Sequence, residues 1–347
     1  MKLDLANPAW QQTLPPSRTL SADAPVAACT FSRDGSLVAF ALGDGCVRVL
    51  PADISAAATE AGPPVHGGAV LSIAADPAGD GFVSGGDDGR VLRVAADGGA
   101  TELLDRKGRW FEHLAVHRAT GAIAASAGKQ AWVFKGGETR ELGPYPSTVA
   151  GLDFSKDGSR VAAAHYGGVT VASLGQVTLP PRLFAWRGSH VALKWSTDGK
   201  FIATATQEND IHVWRVAQAT DMRMQGYPAK VKSLSWTADA RFLYTSAQPV
   251  FTAWPFAGKG PEGKPPLQFG EEGAGLMTVV AAHPAAEFVA GGYDSGELQL
   301  GDIKTRRSAV LKMSDGSPVT CLAWSPDGWR LAAGNEAGNL LVIDLRR

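Results

Sequence analysis

Cysteine is scarce: the 347 residues contain three, Cys29, Cys46 and Cys321. An odd number without metal-ligand spacing excludes a disulfide framework and a cysteine-based metal site, so these read as small apolar side chains in strands. Long apolar runs are missing as well. Gly, Pro, Asp and Asn break the apolar residues into runs of four to eight, far short of the roughly 20 that a membrane-spanning helix needs. Charge of one sign is also lacking. With 33 Lys and Arg against 34 Asp and Glu, no broad field favours nucleic acid or an anionic membrane, and partners must be recognised locally. The amino terminus, MKLDLANPAWQQTLPPS, has no basic start followed by an apolar stretch; without that secretion pattern a cytoplasmic address is expected.

What is present is repetition. A strand-like apolar run, a turn resembling Ser-Pro-Asp-Gly, a second run, a Gly-rich turn and a third run recur eight times. Clear copies are Val26 to Leu50, Val149 to Leu174, His190 to Val216, Val231 to Phe256 and Val319 to Leu345. Fainter ones centre on Asp76, His117 and His283. The residues before the turns, Phe31, Ala75, Val116, Phe154, Trp195, Trp236, Ala282 and Trp324, lie 38 to 46 residues apart, the length of a four-stranded propeller blade. Runs rich in Val, Leu, Ile and Phe with Asp-Gly reversals favour antiparallel strands. One further short run lies between copies, as at 101–104, 176–179, 266–269 and 308–311, so each copy is expected to own four strands. The large residues before the turns share one phase and read as core.

FSRDGSLVAFALGDGCVRVL, WSTDGKFIATATQENDIHVWRV and WSPDGWRLAAGNEAGNLLVIDL resemble WD40 repeats, a likeness running from about Ser17 to Arg347. The resemblance implies an all-β propeller of four-stranded antiparallel blades. The count of copies gives eight blades, with seven as the alternative. Residues 1–16 are expected to be a leader and 17–347 one domain. The family's polar network of His, Ser or Thr, Asp and Trp survives in pieces. His66, Ser84 and Asp88 match it in the second copy, and Thr204 and Trp214 in the fifth, where Glu208 replaces the Asp. These are expected to be structural. The last copy stops after its third strand, and residues 17–20, an orphan strand, are expected to complete it and seal an exposed sheet edge.

Motifs for chemistry are weak. Gly258 to Lys264 has the spacing of a phosphate-binding loop, but Pro265 and Pro266 replace the Ser or Thr and the helix it needs. His113 and His117 would stand about 13 Å apart along a strand, too far to share an ion. The pairs Glu271-Glu272 and Asp87-Asp88 read as solvated turn residues, and no nucleophile elbow is present. No catalytic residue, cofactor or metal is assigned, and a non-enzymatic protein is expected. The resemblance implies partner binding by loops on one face, as a protein-interaction scaffold that is a monomer by itself. On that face fall Arg109, Trp110, Phe111, Tyr145, Tyr166, Trp186, Arg187 and His190, whose basic character points to an acidic peptide or loop as ligand. Aromatic and arginine side chains dominate such recognition. A ligand or metal in the central channel, with catalytic consequences, is the alternative.

Overall fold

A computed structural model describes residues 5, 7, 10, 13–58, 62–175, 179–258 and 260–346. Every regular segment of length among them is a strand, paired antiparallel to its neighbours. The chain is an all-β propeller of four-stranded antiparallel blades. Counted as continuous sheets the blades number seven, the alternative to the expected eight. The difference lies in one six-stranded sheet that holds both the fourth and the fifth repeat. There the strand residues are unbroken over Arg160–Ser173 and over Arg182–Trp195, 14 residues each. Even so, the N–H of Leu174 donates to the carbonyl of Ser159 at 2.8 Å. An extended chain of that length would separate these atoms by about 50 Å, so the segment turns back on itself. Gly167 and Gly168, at φ of 94° and 135°, supply the left-handed turn that a side chain would oppose. Each of the two repeats keeps its own strands, and one ladder runs on into the next.

The weak third copy forms a full sheet of its own, from His113–His117 to Glu138–Leu142. Two expectations about fourth strands need correction. In the fourth repeat the run at 176–179 lies, except for Leu179, outside the described residues, and Arg182–Trp195 supplies the pairing strand instead. In the first repeat only three strands, Val26–Phe31, Leu37–Leu42 and Val47–Pro51, are present among the described residues.

Ser17–Ser21 closes the ring. It pairs with the last strand, Asn339–Asp344, in the register Ser17 to Ile343 through Ser21 to Asn339. The ladder is extended by the N–H of Ala22 to the carbonyl of Gly338 and the N–H of Asp344 to that of Pro16, each 2.9 Å. Arg18 crosses to the first repeat and donates to the carbonyls of Pro51, Asp53 and Ala56. Leu5 and Trp10 are buried against the seventh and eighth repeats.

Neighbouring repeats are bolted together at one phase. The hydroxyls of Ser72, Ser233 and Thr278 donate to the carbonyls of Phe111, Val280 and Val319, and Thr320 donates to Val26, where the end of the chain meets its beginning. His117 and His283 reach the next repeat's Asp-Gly turn, at the carbonyls of Lys156 (3.0 Å) and Gly328 (3.1 Å). A Cβ at Gly328 would stand 2.1 Å from His283 Nε2, so this turn needs glycine for space as well as for its φ of 75°. Of the large residues before the turns, Phe31, Phe154, Trp195 and Trp236 are buried as expected, while Trp324 is only half-buried against the core. Among the described residues no helix is long and apolar enough to cross a membrane.

Candidate functional site

The polar residues expected to be structural do come together. His66 Nε2 is 2.9 Å from Ser84 Oγ and Nδ1 is 3.0 Å from Asp88 Oδ1, while the Gly67 N–H and Arg90 Nε donate to Asp88 Oδ2. Those donors hold the Asp88 carboxyl down at about 2 against the cost of burying it. In the fifth repeat Thr204 Oγ1 lies 2.8 Å from His190 Nδ1 and donates to the His212 carbonyl at 3.2 Å. Trp214 closes over this group, 5.5 Å from the His190 ring.

His190 is therefore not a rim residue. It is fully buried, with Nε2 3.2 Å from the Trp186 carbonyl, and takes the place His66 holds in the second repeat. Phe111 and Tyr145 are buried as well. Phe111 meets Trp132 edge-on at 5.5 Å, and its backbone is tied to Gly86 and Ser72. Tyr145 packs among Val149, Leu152 and Ala163 in the fourth repeat's core, and burial pushes its hydroxyl up to about 12. The physical reason is common to the three. Each stands where the chain dives from a rim loop into the first strand of a repeat, and a large ring there seals the seam between blades.

Five of the eight proposed contact residues remain on the surface. Trp110 is 60% and Tyr166 62% exposed; Arg109 and Arg187 are exposed and Trp186 is half-buried. Tyr166, Trp186 and Arg187 line one cleft of about 250 Å³ with Gly188, Glu208, Asp210 and Arg223. Arg109 and Trp110 belong to the neighbouring third repeat and do not line it. The floor is rigid: Trp186 stacks on His212 at 4.0 Å and 19°, and His212 meets Trp214 edge-on at 4.6 Å.

Asp210 and Arg223 were not picked out from the sequence, and Glu208 was read only as the replacement for the network's Asp. Asp210, not Glu208, is the buried acid of this repeat: it accepts from Thr206 and pairs with Arg223. The sequence signal was there, since Thr206 and Asp210 flank a turn and Arg223 pairs across the strands with His212. Neither Arg109 nor Arg187 has an ion-pair partner among the described residues. The cleft is thus not uniformly basic: one internal ion pair, one uncompensated Arg187 and one exposed Glu208 face the opening.

A further network escaped detection because its chemistry differs. In the sixth repeat the Tyr227 hydroxyl lies 2.9 Å from Thr245 Oγ1 and accepts from Trp254 Nε1 at 2.6 Å. A phenol stands where the fifth repeat has an imidazole. As for the central channel, no group of three or more His, Cys, Asp or Glu side chains among the described residues could share one metal ion.

Burial holds the His212 imidazole down at about 4 against an ordinary value of 6.5, although Asp221 Oδ2 stands 3.1 Å from Nε2 and opposes the shift. Nδ1 has no hydrogen-bond partner among the described residues, and Nε2 faces the Asp221 carboxylate. His66, His190 and His283 are lowered in the same direction by burial. Between about 6.5 and 4 the unfolded chain binds the extra protons, so stability is full above 6.5 and declines as pH falls towards 4. Thermal melts from pH 7.5 to 4.5 should show a progressive fall that is shallower in His212→Gln. Flat melting temperatures across that window would refute the assignment. The depressed aspartates, Asp88 among them, act only below about pH 4.

Among known families, the model described as "WD domain, G-beta repeat" matches residues 14–49, 63–92 and 183–215. Actin-interacting protein 1 of Caenorhabditis elegans is 24% identical over 240 residues, 69% of this chain and 30% of that protein. The 66 kDa stress protein of Physarum polycephalum is 34% identical over 109 residues, 30% of this chain and 18% of that protein. The chain thus spans less than a third of the length of either relative. The crystal structure of the computationally designed Ika8 protein superposes with a TM-score of 0.73 at 18% identity, covering 93% of this chain and 97% of that one. That likeness bears on the fold alone.

Proposed function

Starting from a chain that is a WD40-repeat β-propeller, we propose that it is a non-enzymatic protein-interaction scaffold that takes a partner's loop or peptide into the rim cleft at Tyr166, Trp186 and Arg187. The observation that carries this reading is the exposed Tyr166 ring at the mouth of a cleft whose floor, Trp186, is stacked on a buried imidazole. A ring already fixed loses little entropy on binding, and aromatic and arginine side chains are the usual centres of binding energy. Arg187 suits a partner carboxylate because no residue neutralises it among the described residues. Glu208, across the same opening, repels that carboxylate and so sets the partner's orientation. Trp110 and Arg109 extend the contact onto the third repeat. The protein-binding name of the nematode relative agrees with this class of function.

The triple variant Tyr166→Ala, Arg187→Ala, Trp110→Ala removes only exposed side chains. It should weaken capture of a co-purifying partner at least tenfold while moving the melting temperature by no more than about 2 °C, since surface substitutions cost within about 0.5 kcal/mol. Capture at wild-type strength would remove the cleft from the binding surface.

A further inference from the structure

A second cleft opens at the opposite ends of the same strands. Tyr166 ends, and Arg160 begins, one arm of the Gly167 hairpin, which at about 3.3 Å per residue puts the two clefts about 20 Å apart. At this far end Arg160, Arg182, Lys200 and Arg215 surround a cavity of about 560 Å³, with Phe201 as its apolar wall and no carboxylate in the lining. Lys200 pairs with Asp198 at 3.1 Å and Arg215 with Glu262 at 3.0 Å, both outside the lining. Arg160 and Arg182 have no ion-pair partner among the described residues; ring faces and backbone hold them instead. The Arg160 guanidinium lies 5.2 Å from the Trp195 ring and that of Arg182 4.7 Å from Phe184, and Arg182 donates to the Val216 carbonyl at 3.1 Å. Asp157 senses the charge of Arg160, but its oxygens are engaged by Ser155 and Ser159.

We propose that this cleft binds a phosphate monoester, with Arg160 and Arg182 as its principal ligands and Lys200 and Arg215 at its edge. A phosphate monoester carries about −1.5 to −2 at neutral pH, which matches two uncompensated guanidinium groups; a single carboxylate would leave one cation unanswered. The planar guanidinium fork fits phosphate oxygens bidentately. The volume lies within the range of about 300 to 1,000 Å³ typical of small-ligand sites, leaving room beside Phe201 for whatever carries the phosphate. The two clefts share no lining residue, so this inference stands apart from the protein-partner reading.

The test is calorimetric titration of the full chain at low salt with O-phosphoserine, with a phosphoserine-centred peptide and with the same peptide carrying serine. The phosphorylated probes should bind and the serine peptide should not. Arg160→Gln and Arg182→Gln should each weaken binding about tenfold or more, the usual weight of a charge-assisted hydrogen bond, and high salt should weaken it further. Because both arginines also pack on rings, Lys200→Glu serves as the second variant: its side chain is 74% exposed, and it too should lower affinity. Equal binding of phosphoserine and phosphopeptide identifies a small phosphorylated molecule, and much tighter phosphopeptide binding identifies a phosphorylated protein; either supports the site. Failure of both phosphorylated probes at millimolar concentration overturns it. So does affinity unchanged in all three variants.

Discussion

Removing residues 1–22 should lower the melting temperature by about 10 °C or more, while removing residues 1–12 alone should cost less. The longer deletion strips Ser17–Ser21 from Asn339–Asp344 and leaves a sheet edge with unpaired N–H and C=O groups. It also removes the bonds from Arg18 to Pro51, Asp53 and Ala56 and exposes the part of the core that Leu20 covers. At about 1 kcal/mol net for each hydrogen bond, the five-pair ladder and the three Arg18 bonds are worth about 8 kcal/mol, and about 1.4 °C accompanies each kcal/mol in a chain of this size. The new edge invites pairing between molecules, so concentration-dependent aggregation should accompany the loss. The shorter deletion separates this effect from the burial of Leu5 and Trp10. An unchanged melting temperature in the longer deletion would mean that the ring is closed by other contacts.

Trp214→Ala should destabilise the protein by about 4 kcal/mol, measured as a shift in the denaturant midpoint. The indole is almost wholly buried in the core shared by the fourth and fifth repeats, beside Phe184 and under His190. Truncating a buried Trp to Ala costs about 3 to 5 kcal/mol, because the transfer energy is lost and a cavity remains. The change should also reach function. His212 rests edge-on against Trp214 and carries the stacked Trp186, so the cleft floor loses its support. Trp214→Phe, which keeps a ring, should recover most of both effects. A loss under about 1 kcal/mol for Trp214→Ala would show that this cluster is not the keystone of the two repeats.

Most of the architecture was legible because the physics of a propeller is local and periodic. Asp34, Asp157, Asp198 and Asp327 each sit in a turn that Ser32, Ser155, Ser196 or Ser325 caps with a side-chain hydrogen bond. The repeat length and the strand phases follow from those turns. The closing strand could be found because a missing fourth strand at one end and an orphan at the other are complementary. The merging of two repeats into one sheet could not be read: whether a ladder continues across a seam depends on the path of 182–195, not on its composition.

The site was half legible. Residue type singled out His190, Phe111 and Tyr145, and burial then removed them, since whether a loop aromatic turns outward or into the seam is decided by the neighbouring blade. Tyr227 escaped because a phenol and an imidazole answer the same Thr hydroxyl by different sequence letters. The basic cleft escaped because Arg160 and Arg182 begin two strands, Lys200 immediately precedes a third and Arg215 ends a fourth, and only the fold brings those ends to one place.

The most direct measurement places a photo-reactive phenylalanine analogue at Tyr166, and in a separate sample at Leu179, an exposed position of the same repeat that lines neither cleft, and cross-links each in the native host. A protein adduct at Tyr166, absent when Arg187 is Ala and absent at Leu179, is the predicted result. Adducts of equal yield at both positions, or at Leu179 alone, would contradict a rim cleft that recognises a protein partner.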